Sequence, residues 1–329
     1  MEYQYSEVVD PSLYETHDLS NGIELRMHKD SFKETNGARR AQRDWAQYVR
    51  PVEGYYGGLG DPYTFIRVTI PECLPERLEI ISYANEFAFL YDDAMEDLDL
   101  KNPSNRTPGL LDTFGDNVLD PTVRPKSRPE KQLQAKVFSE MRAIDSVRAV
   151  TSMKAWATFV GLAARTRSQP FRTMEEYIPS RIIDAGELIW FGTLTFAMAL
   201  TIPQEEYNLC MELARPGYAA LGLTNDLYSW AKERETAKRA GQDYVFNAVW
   251  VIMNERSVSE EEAKSICSEV IKKYVAEYCQ VVEKTRNDRD LSRDLRAYIE
   301  AVMYSISGNL VWSIYCPRYH KFQVLQEGL

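Results

Sequence analysis

The stretch IISYANEFAFLYDDAMED, residues 80–97, decides the fold. Its apolar side chains recur at the three- and four-residue spacing of a helix and do not alternate as in a strand. They are Ile80, Ala84, Phe87, Ala88, Tyr91 and Met95. The row that starts at Ile80 and continues by steps of four ends in Asp92 and Glu96. Because like charges at this spacing cost a helix roughly 0.2–0.5 kcal/mol per pair, the pattern indicates either an apolar cavity with a metal-binding mouth or a solvated acidic helix end.

The whole chain has the composition of an acidic globular protein. Its 329 residues are 44% hydrophobic and 12% aromatic, with a net charge of −10 and no block of Lys and Arg. This balance argues against a nucleic-acid partner and favours a cationic cofactor. The cysteines are five in number and form no C-x-x-C pair, which argues against a disulfide framework or a zinc site.

No stretch of the sequence has the features of a signal peptide or a membrane span. The first ten residues, MEYQYSEVVD, are polar and acidic. The uncharged stretch at residues 188–202 has 15 residues and is shorter than the ~20 that cross a bilayer. We therefore expect a cytoplasmic protein with no membrane span, in which this stretch is a buried helix.

Helical patterning dominates the chain and predicts a single all-α domain over residues 1–329. Residues 1–35 are weakly patterned and predict an N-terminal arm that lies on the body. Between residues 101 and 130, five prolines and little periodicity predict a surface loop. No strand-length window alternates between turn signals, so no strand is expected. Further helices are predicted at 38–49, 130–146, 149–167, 173–200, 204–214, 218–240, 243–255, 259–287 and 291–315.

Local signals mark several boundaries between these elements. The glycines and prolines of PVEGYYGGLGDP, residues 51–62, predict a loop. Its G-G-L-G gives little support to a phosphate-binding loop, because no strand precedes it and no GK[ST] follows. Two capping boxes predict helix starts, one from Thr173 to Glu176 and one from Ser259 to Glu262.

A second set of oxygen-bearing side chains lies in the predicted helix 218–240. Asn225, Ser229 and Glu233 step by four residues and share one helix face. Amide, hydroxyl and carboxylate oxygens are hard donors that suit Mg²⁺. The pattern N-D-x-x-S-x-x-K-E fixes five positions, and at ~1/20 usage for each position its chance occurrence in this chain is on the order of 10⁻⁴. A purely structural face is the alternative, but so low a chance favours a metal site.

The two motifs together resemble those of class I terpene cyclases, which carry an aspartate-rich motif about 130 positions before an Asn/Ser/Glu set. The likeness is strongest to the cyclase domain of fungal bifunctional diterpene synthases of the fusicoccadiene type. The stretches PERLEIISYANEFAFL, YIPSRIIDAGE and YSISGNLVWS carry it. It covers essentially the whole chain, and it implies an all-α class I terpenoid synthase bundle around a central apolar cavity.

The resemblance implies a role for individual residues. Those that would bind three Mg²⁺ ions are Asp92, Asp93, Glu96, Asn225, Ser229 and Glu233. Those that would hold or sense the diphosphate are Arg181, Asp184, Lys232, Arg318 and Tyr319. A carbonyl beside Asp184, either that of Ala185 or that of Gly186, would act as the effector. Glu96 stands where the family commonly has Asp, which leaves its contact with metal open.

The implied chemistry is ionisation of an isoprenoid diphosphate, the reaction of a carbon-oxygen lyase. Metal ions and cationic side chains stabilise the leaving diphosphate. The resulting carbocation needs a water-free cavity with π faces, each worth ~0.5–2 kcal/mol. Candidates for the cavity wall are Phe65, Phe89, Trp156, Phe191 and Trp312, with Asn309 as a lone polar group. The three histidines lie near the chain ends, which argues against histidine general-base chemistry.

Several functions compete at this point. The first is cyclisation of geranylgeranyl diphosphate to a fusicoccadiene-like polycycle, with a sesterterpene cyclase acting on geranylfarnesyl diphosphate as its alternative. A chain-elongating prenyltransferase would carry a second D-D-x-x-D motif where this chain has the Asn/Ser/Glu set. A non-enzymatic helical scaffold would show a broken motif. The resemblance leaves open a fused C-terminal prenyltransferase domain and a homodimer.

Overall fold

The computed structural model describes residues 3–101, 129–166 and 170–324, with side chains at all of these except 95–101, 164–166 and 321–324. Twelve α-helices form this described part of the chain. They are α1 (Ser31–Tyr48), α2 (Phe65–Thr69), α3 (Pro75–Lys101), α4 (Pro129–Ile144), α5 (Ser146–Thr166), α6 (Met174–Asp184), α7 (Glu187–Ala197), α8 (Tyr207–Arg239), α9 (Ala248–Arg256), α10 (Glu260–Arg286), α11 (Arg293–Tyr315) and α12 (Pro317–Val324).

Helix α11 lies at the centre of this bundle. Its residues 304–313 are all buried, as expected for a helix that is enclosed on every side. It packs against α8, α10 and α2, while α1 packs on α3 and α5 on α7. A Cβ atom on Gly308 would lie 2.0 Å from the Val68 carbonyl oxygen, so this glycine lets the backbone of α2 approach α11 closely. The prediction of an all-α bundle is confirmed.

The N-terminal arm contains a small sheet that the sequence analysis did not expect. Strands β1 (Ser6–Val8) and β2 (Arg26–His28) pair antiparallel. Each has only three residues, too few for a period-two pattern to show. The buried Glu72 carboxylate ties the arm to the body by accepting the backbone N–H groups of Gln4 (2.9 Å), Tyr5 (3.2 Å) and Ser6 (2.9 Å).

Several predicted helix boundaries were wrong, among them the start of α9, which is Ala248 and not 243. Helix α1 begins at Ser31 and not at 38, because Asp30 caps it by accepting the Lys33 N–H at 3.0 Å. The stretch 173–200 is two helices, with a break at the left-handed Gly186, whose φ is +89°. The two helices predicted over 204–240 are one helix, α8, although proline removes a backbone donor at Pro216.

Close packing around Pro216 accounts for the continuous α8. A Cβ on the next residue, Gly217, would lie 2.9 Å from Val302 of α11 and 3.0 Å from Tyr278 of α10. Side chains of α10 and α11 therefore pack directly against the backbone of α8 here, and this tertiary packing outweighs one lost hydrogen bond. Both predicted capping boxes do begin helices, since Thr173 accepts the Glu176 N–H and Ser259 accepts the Glu262 N–H.

The predicted surface loop at 101–130 lies outside the described residues except at its two ends. Across the described helices, none combines the length and apolar character needed to cross a membrane.

Candidate active site

The aspartates of the acidic motif lie in the second half of α3 and face α12. Asp93 accepts two hydrogen bonds from Arg318, one from Nη2 to Oδ1 (2.7 Å) and one from Nη1 to Oδ2 (3.0 Å). Lys232 Nζ of α8 lies 3.2 Å from Asp93 Oδ1. Burial raises the pKa of Asp93, but Arg318 and Lys232 outweigh this effect and hold the pKa below its usual range. The side chain of Glu96 lies outside the described residues.

Asp92 is the more accessible of the two aspartates. Its side chain is 54% exposed, and its Oδ2 is 3.8 Å from Arg318 Nη2, which is a distant ion pair. Its carboxylate therefore has open coordination sites beside a cation, whereas that of Asp93 is shared between two cations.

Asn225 of α8 joins two predicted diphosphate ligands that are far apart in sequence. Its Oδ1 accepts a hydrogen bond from Arg181 Nη2 at 2.6 Å. Its Nδ2 donates to Tyr319 Oη, also at 2.6 Å. One amide of α8 thus brings together a side chain of α6 and a side chain of α12.

The same face of α8 holds oxygen atoms that fit a divalent cation. Among the described atoms, the buried Ser229 Oγ, one turn from Asn225, has no hydrogen-bond partner. Glu233, one turn further on, has Oε2 3.0 Å from Asn247 Nδ2, which donates to it and leaves Oε1 for another partner. The described side chains contain no metal-ready cluster made of His, Cys, Asp and Glu alone. The amide and hydroxyl of this face supply the additional oxygen donors that Mg²⁺ accepts.

Asp226 is a buried residue of this site that the sequence analysis did not assign. Its Oδ2 accepts hydrogen bonds from Tyr177 Oη (2.6 Å) and from the backbone N–H of Ala248 (3.0 Å). Its Oδ1 lies 2.8 Å from Arg181 Nε in an ion pair without hydrogen-bond alignment. Complete burial raises the pKa of Asp226 to about 7, against the opposing charge of Arg181. Its place in the N-D-x-x-S pattern was the signal available in the sequence.

The break between α6 and α7 lies directly beside Arg181. Arg181 Nη1 donates to Asp184 Oδ2 at 2.8 Å, so the buried guanidinium has partners on both α6 and α8. The Gly186 carbonyl accepts the Trp190 N–H at 2.8 Å, as the first hydrogen bond of α7. The Gly186 carbonyl, one of the two candidate effector carbonyls, thus already accepts a helix hydrogen bond.

Three of the predicted cavity aromatics form one cluster below the Arg318 guanidinium. The rings of Phe89 and Trp312 are stacked, with centroids 5.7 Å apart and planes inclined by 15°. Phe65 meets both edge-on, at 5.4 Å from Phe89 and 4.8 Å from Trp312. Trp190, which the sequence analysis did not name, packs edge-on against Phe65 at 5.7 Å. The Arg318 guanidinium carbon lies 5.0 Å from the Phe89 ring centroid.

The other predicted wall residues lie elsewhere. Phe191 packs against the rings of Tyr207 (5.3 Å) and Tyr298 (5.4 Å), and no ring contact among the described residues joins it to the Phe89 cluster. Trp156 donates its Nε1–H to the Ile189 carbonyl at 3.0 Å. The buried Asn309 donates to the Leu221 carbonyl of α8 at 3.3 Å, one turn before Asn225.

Comparison with known proteins identifies the family. Residues 83–277, more than half of the chain, match the family model described as terpene synthase family 2, C-terminal metal binding. The chain belongs to this terpene synthase family. Both motifs of the terpene synthase lie within the matched residues, and the metal-binding description supports its use of a divalent metal. The resemblance inferred from the motifs is confirmed.

Curated relatives of this terpene synthase include fungal enzymes about twice its length. A bifunctional type I diterpene synthase, tndC, of Aspergillus flavipes is 44% identical over 99% of this chain and 43% of its own length. The fusicoccadiene synthase of Phomopsis amygdali is 45% identical over 97% of this chain and 46% of its own length. A bifunctional sesterterpene synthase of Aspergillus aculeatus is 42% identical over 97% and 45%. The chain therefore spans less than half the length of these relatives.

Solved structures show the same fold at low sequence identity. Aristolochene synthase from Penicillium roqueforti superposes with a TM-score of 0.64 at 19% identity, covering 87% of this chain and 96% of that one. Wild-type cucumene synthase gives a TM-score of 0.68 at 16% identity, covering 89% and 98%. The terpene synthase thus has the class I helical fold of these enzymes.

Proposed function

We propose that this chain is a class I diterpene cyclase that ionises geranylgeranyl diphosphate and closes the resulting carbocation to a fusicoccadiene-like polycyclic hydrocarbon, releasing diphosphate. One observation carries the proposal: cationic side chains from three helices are linked to the two motifs. Arg181 contacts Asn225, while Lys232 and Arg318 both contact Asp93. Three cations drawn together in an acidic chain are suited to a polyanionic leaving group.

The polar end of the site would hold the diphosphate. Arg181, Lys232 and Arg318 would donate to its oxygens, and Tyr319 would add a hydroxyl. Three Mg²⁺ ions, held by Asp92 and Asp93 on one side and by Asn225, Ser229 and Glu233 on the other, would supply Lewis-acid stabilisation of the leaving group when bound. Glu96 would adjoin the first set of ligands, and Asp184 would couple Arg181 to the helix break.

Asp93 would act as the resting partner of two of these cations. Because its carboxylate occupies Arg318 and Lys232 in this structure, binding of diphosphate requires both side chains to exchange carboxylate oxygens for phosphate oxygens. The exchange would turn Asp93 toward the metal side of the site. Substrate binding would thereby be coupled to a rearrangement between α3 and α12.

The apolar end would steer the carbocation. The Phe89 ring would lie next to the allylic carbon that ionises, because it packs under Arg318, which would hold the diphosphate. Phe65 and Trp312 extend the aromatic surface away from the diphosphate. The Ala185 carbonyl would face the developing charge from the helix break. Trp156 and Asn309 would line more distant parts of the cavity, whereas Phe191 would pack behind its wall, between Tyr207 and Tyr298.

The relatives support a longer substrate as the alternative to geranylgeranyl diphosphate. One relative is named a sesterterpene synthase at 42% identity, close to the 44–45% of the diterpene enzymes. Geranylfarnesyl diphosphate is therefore the second candidate substrate. Because two of these relatives are named bifunctional, we also propose that a prenyltransferase domain acts with this chain and supplies the linear diphosphate.

The experiment is incubation with C15, C20 and C25 prenyl diphosphates and Mg²⁺, followed by gas chromatography of the products. We expect cyclic C20 hydrocarbons, no product in EDTA, and no elongation when isopentenyl diphosphate is added. Asn225→Ala should lower turnover at least ~10²-fold. The exposed Asn254, which bonds only its own helix among the described contacts, provides the matched control, Asn254→Ala. Full activity of Asn225→Ala, or longer prenyl diphosphates as products, would contradict the proposal.

A further inference from the structure

The loop GYYGGLG, residues 54–60 and here called the Gly-rich loop, contacts both ends of the candidate active site. Its Tyr56 carbonyl accepts a hydrogen bond from Arg318 Nη1 at 3.0 Å. Its Gly58 carbonyl accepts one from Trp312 Nε1 at 3.1 Å. The cation at the polar end and the stacked ring at the apolar end are thus each held by a backbone oxygen of the same loop.

A buried carboxylate of α3 holds the Gly-rich loop in place. Glu86, only 1% exposed, lies two helical turns before Asp93. Its Oε2 accepts the Gly58 N–H at 2.9 Å, and its Oε1 accepts Gln42 Nε2 of α1 at 2.7 Å. Burying a carboxylate costs free energy, since burial raises its pKa against the effect of these donors. An apolar side chain at this position would avoid that cost, so the presence of a carboxylate favours a specific role for Glu86.

The glycines of the loop make room for this carboxylate. A Cβ on Gly57 would lie 2.1 Å from Glu86 Oε1 and 2.3 Å from Tyr55 Oη. No side chain at position 57 can be accommodated without moving Glu86 or the loop. The loop backbone and the carboxylate are therefore fitted to each other, and the Gly58 N–H points at Glu86 while the Gly58 carbonyl points at Trp312.

We propose that Glu86 is a positioning residue, which fixes the Gly-rich loop and through it sets both the Arg318 guanidinium and the Trp312 ring. The inference rests on the proposed function, because that function assigns Arg318 to the diphosphate and Trp312 to the carbocation. When Arg318 exchanges Asp93 for the diphosphate, its hydrogen bond to the Tyr56 carbonyl persists. One carboxylate outside the metal and diphosphate ligands thereby coordinates ionisation with steering.

The main test compares Glu86→Ala with Glu86→Gln. Glutamine keeps an oxygen for the Gly58 N–H, and the Gln42 amide can rotate to offer its own oxygen to the new NH₂ group. In Glu86→Ala, loop amides should exchange with deuterium about 2- to 10-fold faster, the factor expected for loss of one net hydrogen bond. The rise in melting temperature caused by Mg²⁺ with inorganic diphosphate should shrink. Glu86→Gln should restore most of both effects.

Kinetics and products provide the second readout. In Glu86→Ala, Arg318 and Trp312 should be misplaced. We therefore expect kcat to fall by roughly 10- to 100-fold and the share of early-quenched products to rise. Gly57→Ala should reproduce both changes, because its Cβ displaces the same carboxylate. This variant keeps the test decisive if Glu86→Ala does not fold. Gly161→Ala, whose Cβ would meet no atom within 4 Å, is the matched glycine control and should leave the product ratio unchanged.

A second buried carboxylate, Glu72, provides the control that distinguishes a positioning role of Glu86 from a purely structural one. Glu72 likewise accepts backbone N–H groups, but those of the N-terminal arm. Glu72→Ala should lower the melting temperature while the product ratio, KM and loop exchange stay as in the wild type. The inference is overturned if Glu86→Ala behaves in the same way, or if its loop exchanges at the wild-type rate. An inactive wild type whose loop exchange still accelerates in Glu86→Ala would refute the proposed function but support the role of Glu86 in fixing the Gly-rich loop.

Discussion

At the scale of single residues, Phe89 is where the charged and apolar ends of the site meet. Its ring lies 5.0 Å from the Arg318 guanidinium carbon on one side and is stacked on Trp312 on the other. Phe191 has the same side chain, but it packs between Tyr207 and Tyr298. Comparing substitutions at these two phenylalanines therefore distinguishes a role in steering the carbocation from a role in packing.

We expect Phe89→Leu to consume substrate and release earlier-quenched or differently cyclised hydrocarbons. Leucine keeps most of the bulk and removes the π face, at a stability cost usually below ~1.5 kcal/mol. Phe191→Leu is the matched control, expected to lower the melting temperature with an unchanged product ratio. Gas chromatography beside melting curves measures both. An unaltered product profile in Phe89→Leu would remove this residue from the cavity wall.

Two short connections between elements set the positions of site side chains. The first is the junction of α6 and α7 at Gly186, whose φ of +89° is unfavourable for any residue with a Cβ. The second is the start of α2, the helix that carries Phe65. The buried Glu34 of α1 accepts the Thr64 hydroxyl and the Arg67 N–H (3.1 Å) at this end.

Replacing Gly186 by alanine should lower the free energy of unfolding by ~1–2 kcal/mol, the cost of a left-handed residue with a Cβ. An added Cβ would meet nothing closer than 3.5 Å, so the effect comes from the backbone and not from a clash. Turnover should fall as well, because Arg181 and Asp184 lie just before the junction. Urea titration with activity measurement tests this, and equal stability of mutant and wild type would contradict it.

Glu34 should give the protein a pH-dependent component of stability. Burial raises its pKa to about 7 in the folded state, from 4.5 for a glutamate in water. Between these two pH values the native state binds the proton that the unfolded state has released, so the free energy of unfolding falls as pH rises. The component, of order 1–3 kcal/mol, is fully present below about pH 4.5 and is lost as pH rises through 7.

The measurement is urea unfolding of the wild type and Glu34→Gln at pH 5 and pH 7.5. The wild type should lose stability relative to Glu34→Gln over this interval, because glutamine does not titrate. Parallel stability profiles for the two proteins would show that Glu34 does not bind a proton in the folded state at pH 5.

On the scale of the whole molecule, the site exists only when distant elements are assembled. Its side chains come from α3, α6, α8 and α12, and the Gly-rich loop adds backbone oxygens. A ligand that bridges these elements binds the native state and not the unfolded chain. It therefore stabilises the fold by mass action.

Mg²⁺ with inorganic diphosphate should raise the melting temperature, with a stabilisation of ~2.7 kcal/mol when the ligand is at 100 times its Kd. Arg318→Ala should lose most of this rise. Lys272→Ala, which removes an exposed ion pair with Glu269 in the middle of α10, should show the same rise as the wild type. Differential scanning fluorimetry with and without EDTA measures the shift. No shift in the wild type at saturating ligand would refute the assignment of the site.

Most of the helices, the two oxygen-bearing motifs and the family of the chain could be predicted from the amino-acid sequence alone. These features depend on local spacing: a period of about 3.6 residues for the helices and steps of four within a helix for Asn225, Ser229 and Glu233. Such patterns can be read without knowing which helices are neighbours. The same local signals correctly placed both capping boxes.

The groups that hold these motifs in place could be identified only from the assembled fold. Glu86 meets the Gly-rich loop across 28 positions of sequence, and Asp226 meets Tyr177 across 49. The assembled fold also decided that Phe89 and not Phe191 lies against Arg318, that α8 continues through Pro216, and that a break follows Asp184. Burial, close packing and ion pairing arise between elements that are distant in the chain, and local periodicity carries no information about which elements meet.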